Sequence, residues 1–154
     1  MRKKRVYKKH YGPDSKFGRA DIGRFINYLM KDGKKSVAEK VFYDTLDLIE
    51  KQTKEKGLEV YDKAMANVQP QIEVKSRRVG GANYQVPTEV RPDRRFVLSA
   101  RWLLSASRGK KGMPMSKRLA DELILAAKNE GSAIKKKLDT HRMAEANRAF
   151  AHFA

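Results

Sequence analysis

The sequence predicts a mainly α protein: a single-domain bundle of about six helices, with one protruding β-hairpin and a basic N-terminal arm. Three observations lead there. Apolar residues recur at i, i+3, i+4 and i+7 through most of the chain after residue 20. That period gives way once, to alternation, over about residues 72–90. The first 18 residues show no apolar period and are crowded with lysine and arginine. A length of 154 residues, 40% of them apolar, suits one compact body rather than a disordered basic tail. The expected organisation is an arm over residues 1–18 and a helical domain over 19–154, with the hairpin inserted at about 72–90.

In the arm, Arg2, Lys3, Lys4, Arg5, Lys8 and Lys9 precede Gly12, Pro13 and Gly18, a composition that orders only on a partner. From about Asp21, the residues Ile22, Phe25, Ile26 and Leu29 share one helical face, and Asp32-Gly33 stops the run. Ser36 and Glu39 have the spacing of a capping box, in which the hydroxyl accepts a free N–H and the carboxylate reaches back. The helix it opens would bury Ala38, Phe42, Leu46 and Ile49 and end near Gly57. Tyr61, Ala64, Met65 and Val68 repeat the pattern until Pro70 closes it.

Ile72, Val74 and Ser76 then alternate with Glu73, Lys75 and Arg77, and Tyr84, Val86, Thr88 and Val90 alternate with Gln85, Pro87 and Glu89. Gly80-Gly81-Ala82-Asn83 lies between them, a hairpin signal. Pro87 lacks an N–H donor and belongs on an edge. A lone two-stranded ribbon is marginal in water, so one with Arg77 and Arg78 beside its tip is expected to project and dock on an anion.

Pro92 and Asp93 open the next helix, with Val97, Ala100 and Leu104 on one face, Leu98 and Trp102 alongside, and Trp102 in the core. Residues 109–114 form a basic loop. Leu119, Leu123, Ala126 and Ala127 mark a helix ending at Gly131. Ser132 is expected to cap the last helix, with Ile134 and Leu138 turned inward and Met143, Ala146 and Phe150 further along.

Charge is distributed unevenly over this frame. The net formal charge is +17, and residues 1–20 hold eight Lys or Arg against one acid. Residues 21–70 hold nine of each, residues 71–118 twelve against three, and residues 119–154 six against five. Two segments thus supply nearly all the excess, which is the footprint of a polyanion-binding protein rather than of a uniform solubility coat. Arg94, Arg101 and Arg108 are seven residues apart, so on a helix they drift by only about 20° per step and form one rail. Arg91 and Arg95 sit at one end of it, and Lys110-Lys111 lie just beyond the other. Guanidinium forks match phosphate oxygens bidentately. Lys34 and Lys35, at a helix start, are further phosphate candidates. Tyr84 is either a stacking platform for a base or part of an apolar patch under the hairpin; the two are compatible.

Several chemistries are excluded or disfavoured. With no cysteine there is no disulfide, thiolate zinc site or Cys nucleophile. Gly33-Lys34-Lys35-Ser36 lacks the earlier glycine and the leading strand of a phosphate loop. His141 and Glu145 are one turn apart but have no further ligand at metal spacing. No apolar run approaches the roughly 18 residues of a membrane span. The expectation is a soluble, cytoplasmic, non-enzymatic protein with no catalytic residue, cofactor, metal or membrane partner.

The string Val74-Lys75-Ser76-Arg77-Arg78-Val79-Gly80-Gly81, then Tyr84-Gln85-Val86-Pro87 and Glu89-Val90-Arg91-Pro92, resembles the central signature of the bacterial small ribosomal subunit protein number seven family. Pro13-Asp14, Phe17-Gly18, Arg101-Trp102-Leu103 and the stretch from His141 to Asn147 extend the likeness over essentially the whole chain. The resemblance implies a helical bundle with a protruding ribbon that binds the head (3′ major) domain of small-subunit ribosomal RNA and nucleates head assembly. It implies RNA contacts at the arm, Lys34, Lys35, Lys75, Arg77, Arg78, Arg91, Arg94, Arg95, Lys110 and Lys111, to which the rail adds Arg101 and Arg108. It also implies that the ribbon and last helix (Arg78, Gly80, Gly81, Tyr84 and Arg142) lie near the exit-site tRNA and the mRNA path, with head and platform ribosomal proteins as neighbours.

Overall fold

The computed structural model describes residues 11–153. In chain order the elements are α1 (Ala20–Leu29), α2 (Lys35–Thr53), α3 (Gly57–Val68), β1 (Ile72–Val79), β2 (Ala82–Glu89), α4 (Pro92–Gly109), α5 (Met115–Ala127) and α6 (Ser132–Ala146), followed by a 3₁₀ turn, Arg148–Phe153. Six α-helices and one two-stranded antiparallel sheet are therefore present among the described residues, as the two periodicities predict. The chain falls into two compact units, Met1–Lys40 and Val41–Ala154.

In the first unit, the described residues that lead into α1 are held by local hydrogen bonds. The Asp14 carboxylate accepts the N–H groups of Lys16 and Phe17, each at 3.0 Å, and the Asp14 carbonyl accepts the Gly18 N–H at 2.9 Å. The Arg24 guanidinium lies 4.8 Å from the centre of the Tyr11 ring. Ile22, Phe25 and Ile26 of α1 are fully buried. The helix ends at Leu29, and just beyond it Asp32 and Gly33 both take left-handed backbone, at φ 53° and 72°, turning the chain towards α2. The capping box is not formed: Ser36 is the second residue of α2, inside the helix, and Glu39 instead lies 3.8 Å from the Lys35 ammonium.

In the second unit, α3, α4 and α5 pack on one another, α6 lies against α4 and β1, and the 3₁₀ turn lies against β2. The core holds Phe42, Leu46, Ile49, Tyr61, Ala64, Val68, Leu103, Leu104, Leu119 and Leu123. Phe42 meets Tyr61 edge-on, with centroids 5.5 Å apart at 87°. Gly57 does not end a helix but begins α3. A Cβ there would lie 2.8 Å from the Leu46 carbonyl oxygen, so glycine permits α3 to start directly against α2. The Glu50 carboxylate accepts the Gly57 N–H at 3.0 Å and satisfies one free donor of the new helix.

Three other expectations are revised. Trp102 is half-buried at the rim of an open pocket rather than in the core. Ser132 is the first residue of α6, and the acceptor for its N-terminus comes from elsewhere: Glu122 Oε1 accepts the Ala133 N–H at 3.0 Å. Leu138 is 55% exposed. The inward stripe of α6 runs through Ala133, Lys137, Thr140 and Ala144, and at 3.6 residues per turn Leu138 falls about 100° away from Lys137. Lys137 therefore occupies the centre of that stripe. Its ammonium donates to the Asn67 carbonyl at 2.6 Å, and burial lowers its pKa.

Candidate nucleic-acid interface

The ribbon is built by its register. Val79 pairs with Ala82, which reduces the loop to Gly80-Gly81. Their φ values of 57° and 90° put both in the left-handed region that a tight two-residue hairpin turn of the I′ kind demands. Arg77 stands opposite Tyr84, Arg78 opposite Asn83 and Lys75 opposite Val86. Both arginines and the glycine turn are exposed, so the tip presents cations at the end of a two-stranded stem. The Tyr84 ring lies 5.2 Å from that of Phe150 in the 3₁₀ turn, tilted by 50°, while Val86 is fully buried. The apolar patch under the hairpin is thus real, and Tyr84 forms its half-exposed outer edge.

The root of the ribbon is fastened by its own carboxylates, Glu73 of β1 and Glu89 of β2, which meet arginines of α4, a pairing missed in the sequence because the partners lie on different elements. The buried Glu73 carboxylate lies 3.2 Å from Lys75 Nζ and 3.3 Å from Arg94 Nε. Arg95 donates from Nε to the Val90 carbonyl at 2.8 Å, and its Nη2 lies 3.3 Å from Glu89 Oε1. Gln71, just before β1, donates its N–H to His141 Nε2 of α6 at 3.2 Å. His141 is therefore an anchor of the ribbon. Its pKa is lowered, first by burial and then by the charge of Lys137. Among the described residues, no group of three His, Asp or Glu side chains is placed to hold a metal ion.

From this root α4 runs away with Arg94, Arg101 and Arg108 exposed along it and Ala100, Leu103, Leu104 and Ser107 buried on its other side. Arg91 is exposed at its start. Beyond its end Lys111 is exposed, whereas Lys110 is drawn inward to within 2.9 Å of Oε2 of the fully buried Glu122, off the axis of a hydrogen bond. Arg118 Nη1 donates to the Lys110 carbonyl at 2.6 Å and holds the loop's path. Arg142 is exposed on α6, 3.7 Å from Asp139.

The structure thus brings Lys75, Arg77, Arg78, Arg91, Arg94, Arg95, Arg101, Arg108, Lys110 and Lys111 onto one ribbon, one helix and the loop after it. Lys34 and Lys35 are exposed at the start of α2, in the first unit. Arg2, Lys3, Lys4, Arg5, Lys8 and Lys9 lie outside the described residues. Chemically, the described part offers exposed guanidinium groups along one ribbon and one helix and a half-exposed aromatic ring at the ribbon, suited to phosphate and base contact. Among the described residues, no helix is long and apolar enough to cross a membrane.

Comparison with known proteins agrees with this geometry. The sequence pattern of the family described as ribosomal protein S7p/S5e matches residues 1–148. Small ribosomal subunit protein uS7 of Cytophaga hutchinsonii is 54% identical over 153 residues, covering 99% of each chain. The uS7 protein of Thermotoga maritima is 53% identical over 153 residues with the same coverage. That of Bartonella quintana is 54% identical over 152 residues, 99% of this chain and 97% of the relative. With a match along nearly its full length, the chain belongs to the S7p/S5e family of ribosomal proteins.

Proposed function

We propose that this chain is a non-enzymatic structural constituent of the small subunit of the cytoplasmic ribosome, binding its RNA through charge neutralisation and shape. The observation that carries the reading is the exposed arginine rail of α4, joined at its root to a ribbon whose turn carries Arg77 and Arg78. Phosphate contacts position such a protein, and the ribbon supplies the shape that suits a groove or a junction between RNA helices. The RNA is the head (3′ major) domain, and binding there nucleates head assembly. Lys34, Lys35 and the arm (Arg2, Lys3, Lys4, Arg5, Lys8 and Lys9) add contacts, with the arm ordering on the RNA. The ribbon turn, Tyr84 and Arg142 lie near the exit-site tRNA and the mRNA, with head and platform proteins alongside.

Footprinting of head-domain ribosomal RNA with the protein alone tests this. Protection is expected with the full chain and is expected to weaken at separate sites for Arg77→Glu/Arg78→Glu and for deletion of residues 1–18. If about 6–10 phosphates are engaged, affinity falls about 10³–10⁵-fold between roughly 50 and 200 mM salt. A flat salt response, or footprints untouched by both changes, refutes the reading.

A further inference from the structure

The C-terminal half of α4, the Lys110 corner and the first turn of α6 enclose an open pocket of about 460 Å³, lined by Trp102, Ser105, Gly109, Lys110, Ser132 and Lys136. Its volume lies within the roughly 300–1,000 Å³ of small-ligand sites. Trp102, the sole tryptophan of the chain, is only half-buried and so exposes part of its indole. Ser105, Ser132 and Lys136 are exposed around it. Arg101 and Arg108 stand exposed on the same helix.

We propose that this pocket receives one unpaired ribonucleotide, its base stacked on the Trp102 indole and its phosphate at Lys136. The inference rests on the RNA-binding reading above and adds to it a site for a splayed-out base, distinct from the ribbon. The polarity of the wall sets the orientation. The anion-seeking start of α6 is already occupied, because Glu122 accepts the Ala133 N–H, and Lys110 is held by the same carboxylate. A phosphate pushed inward would meet Glu122 behind Lys110, whereas an uncharged base would meet the indole. On the wall itself, exposed Lys136 offers the charge that a phosphate seeks. Stacking of an unpaired base on an aromatic side chain is how single-stranded elements of RNA are held.

The sole tryptophan makes the test direct. The full chain is titrated with a head-domain ribosomal RNA fragment while indole emission and filter retention are followed in parallel. Saturable retention is expected to be accompanied by quenched emission and by protection of the indole from acrylamide. Trp102→Ala should weaken binding about 5- to 150-fold, the span of one base–aromatic stack, with Trp102→Phe close to the parent. Lys136→Ala should lower the salt slope by about one contact. Saturable binding with unchanged emission, unchanged acrylamide access and unchanged Lys136→Ala affinity overturns the pocket while leaving the RNA-binding reading intact, and is also what a pocket filled by a neighbouring protein would show with naked RNA. Absence of saturable binding overturns both. The wild-type emission and the Lys136 variant decide the matter even if Trp102→Ala folds poorly.

Discussion

Glu122 is fully buried in α5, yet its carboxylate accepts the Ala133 N–H at the start of α6, 3.0 Å away, and draws Lys110 in from the loop after α4. One side chain of α5 therefore ties the start of α6 to the loop after α4. Gly131 belongs to the same arrangement: at φ 93°, any Cβ there would lie 3.0 Å from Glu122 Oε1. Glu122→Ala is expected to lower stability by about 2–4 kcal/mol, combining a lost charged hydrogen bond with a cavity. Glu122→Gln keeps an oxygen acceptor for Ala133 and should cost less. Urea midpoints of the two variants check the order; equal midpoints for parent and Glu122→Ala would show that the contact contributes nothing.

Gly57→Ala should be destabilising despite the better helix propensity of alanine. Propensity favours alanine by about 1 kcal/mol in an exposed helix. Here the added methyl would sit 2.8 Å from the Leu46 carbonyl oxygen and 3.0 Å from Leu46 Cα, both backbone atoms of α2. Overpacking of that kind costs about 1–3 kcal/mol. Thermal melting reads the sign, and a raised Tm would mean that α2 and α3 separate without resistance.

The His141 anchor should respond to acid. Burial and the Lys137 charge hold its pKa below the ordinary 6.5, so the unfolded chain takes up the proton first as pH falls. The contribution of the Gln71 bond is complete above about 6.5 and is lost as pH drops through the lower folded value. An NMR titration should place the imidazole midpoint below 6.5. The protection factor of the Gln71 amide, corrected for intrinsic exchange, should fall across the same interval; a pH-independent factor contradicts the bond.

Glu73 holds two cations at the ribbon root, Lys75 at 3.2 Å and Arg94 at 3.3 Å. Both partners are about half exposed, so water screens the attraction. Glu73→Gln is expected to cost only about 1 kcal/mol, with amide protection lost first along β1. Unchanged exchange in β1 would show that other contacts hold the ribbon.

The helices and the ribbon were legible because their signals are local. Ile22, Phe25, Ile26 and Leu29 on one face, or Ala38, Phe42, Leu46 and Ile49, are read within one window and are buried as expected. The turn at Gly80-Gly81 was equally readable, since few residues accept positive φ. The arginine rail was visible from spacing alone. Glu122 was not recognised, although Leu119, Glu122, Leu123 and Ala126 form an i, i+3, i+4, i+7 stripe that places it inside. Lys137 was missed in the same way, at the centre of the inward stripe of α6. In both cases a charged residue on an apolar stripe was the available signal.

By itself, then, the sequence determined the helical periods, the hairpin and the crowding of cations into two stretches, because each depends on neighbours within a turn or two. Tertiary structure alone decided which of those cations stay outward. Arg77, Arg78, Arg101 and Arg108 lie at the surface, as does Arg94 although Glu73 meets it, whereas Lys110 is drawn inward to Glu122; outside those stretches, Lys137 is turned in to the Asn67 carbonyl. A side chain finds its acceptor across space, and residues as far apart as Asn67 and Lys137 become neighbours only when the helices between them pack.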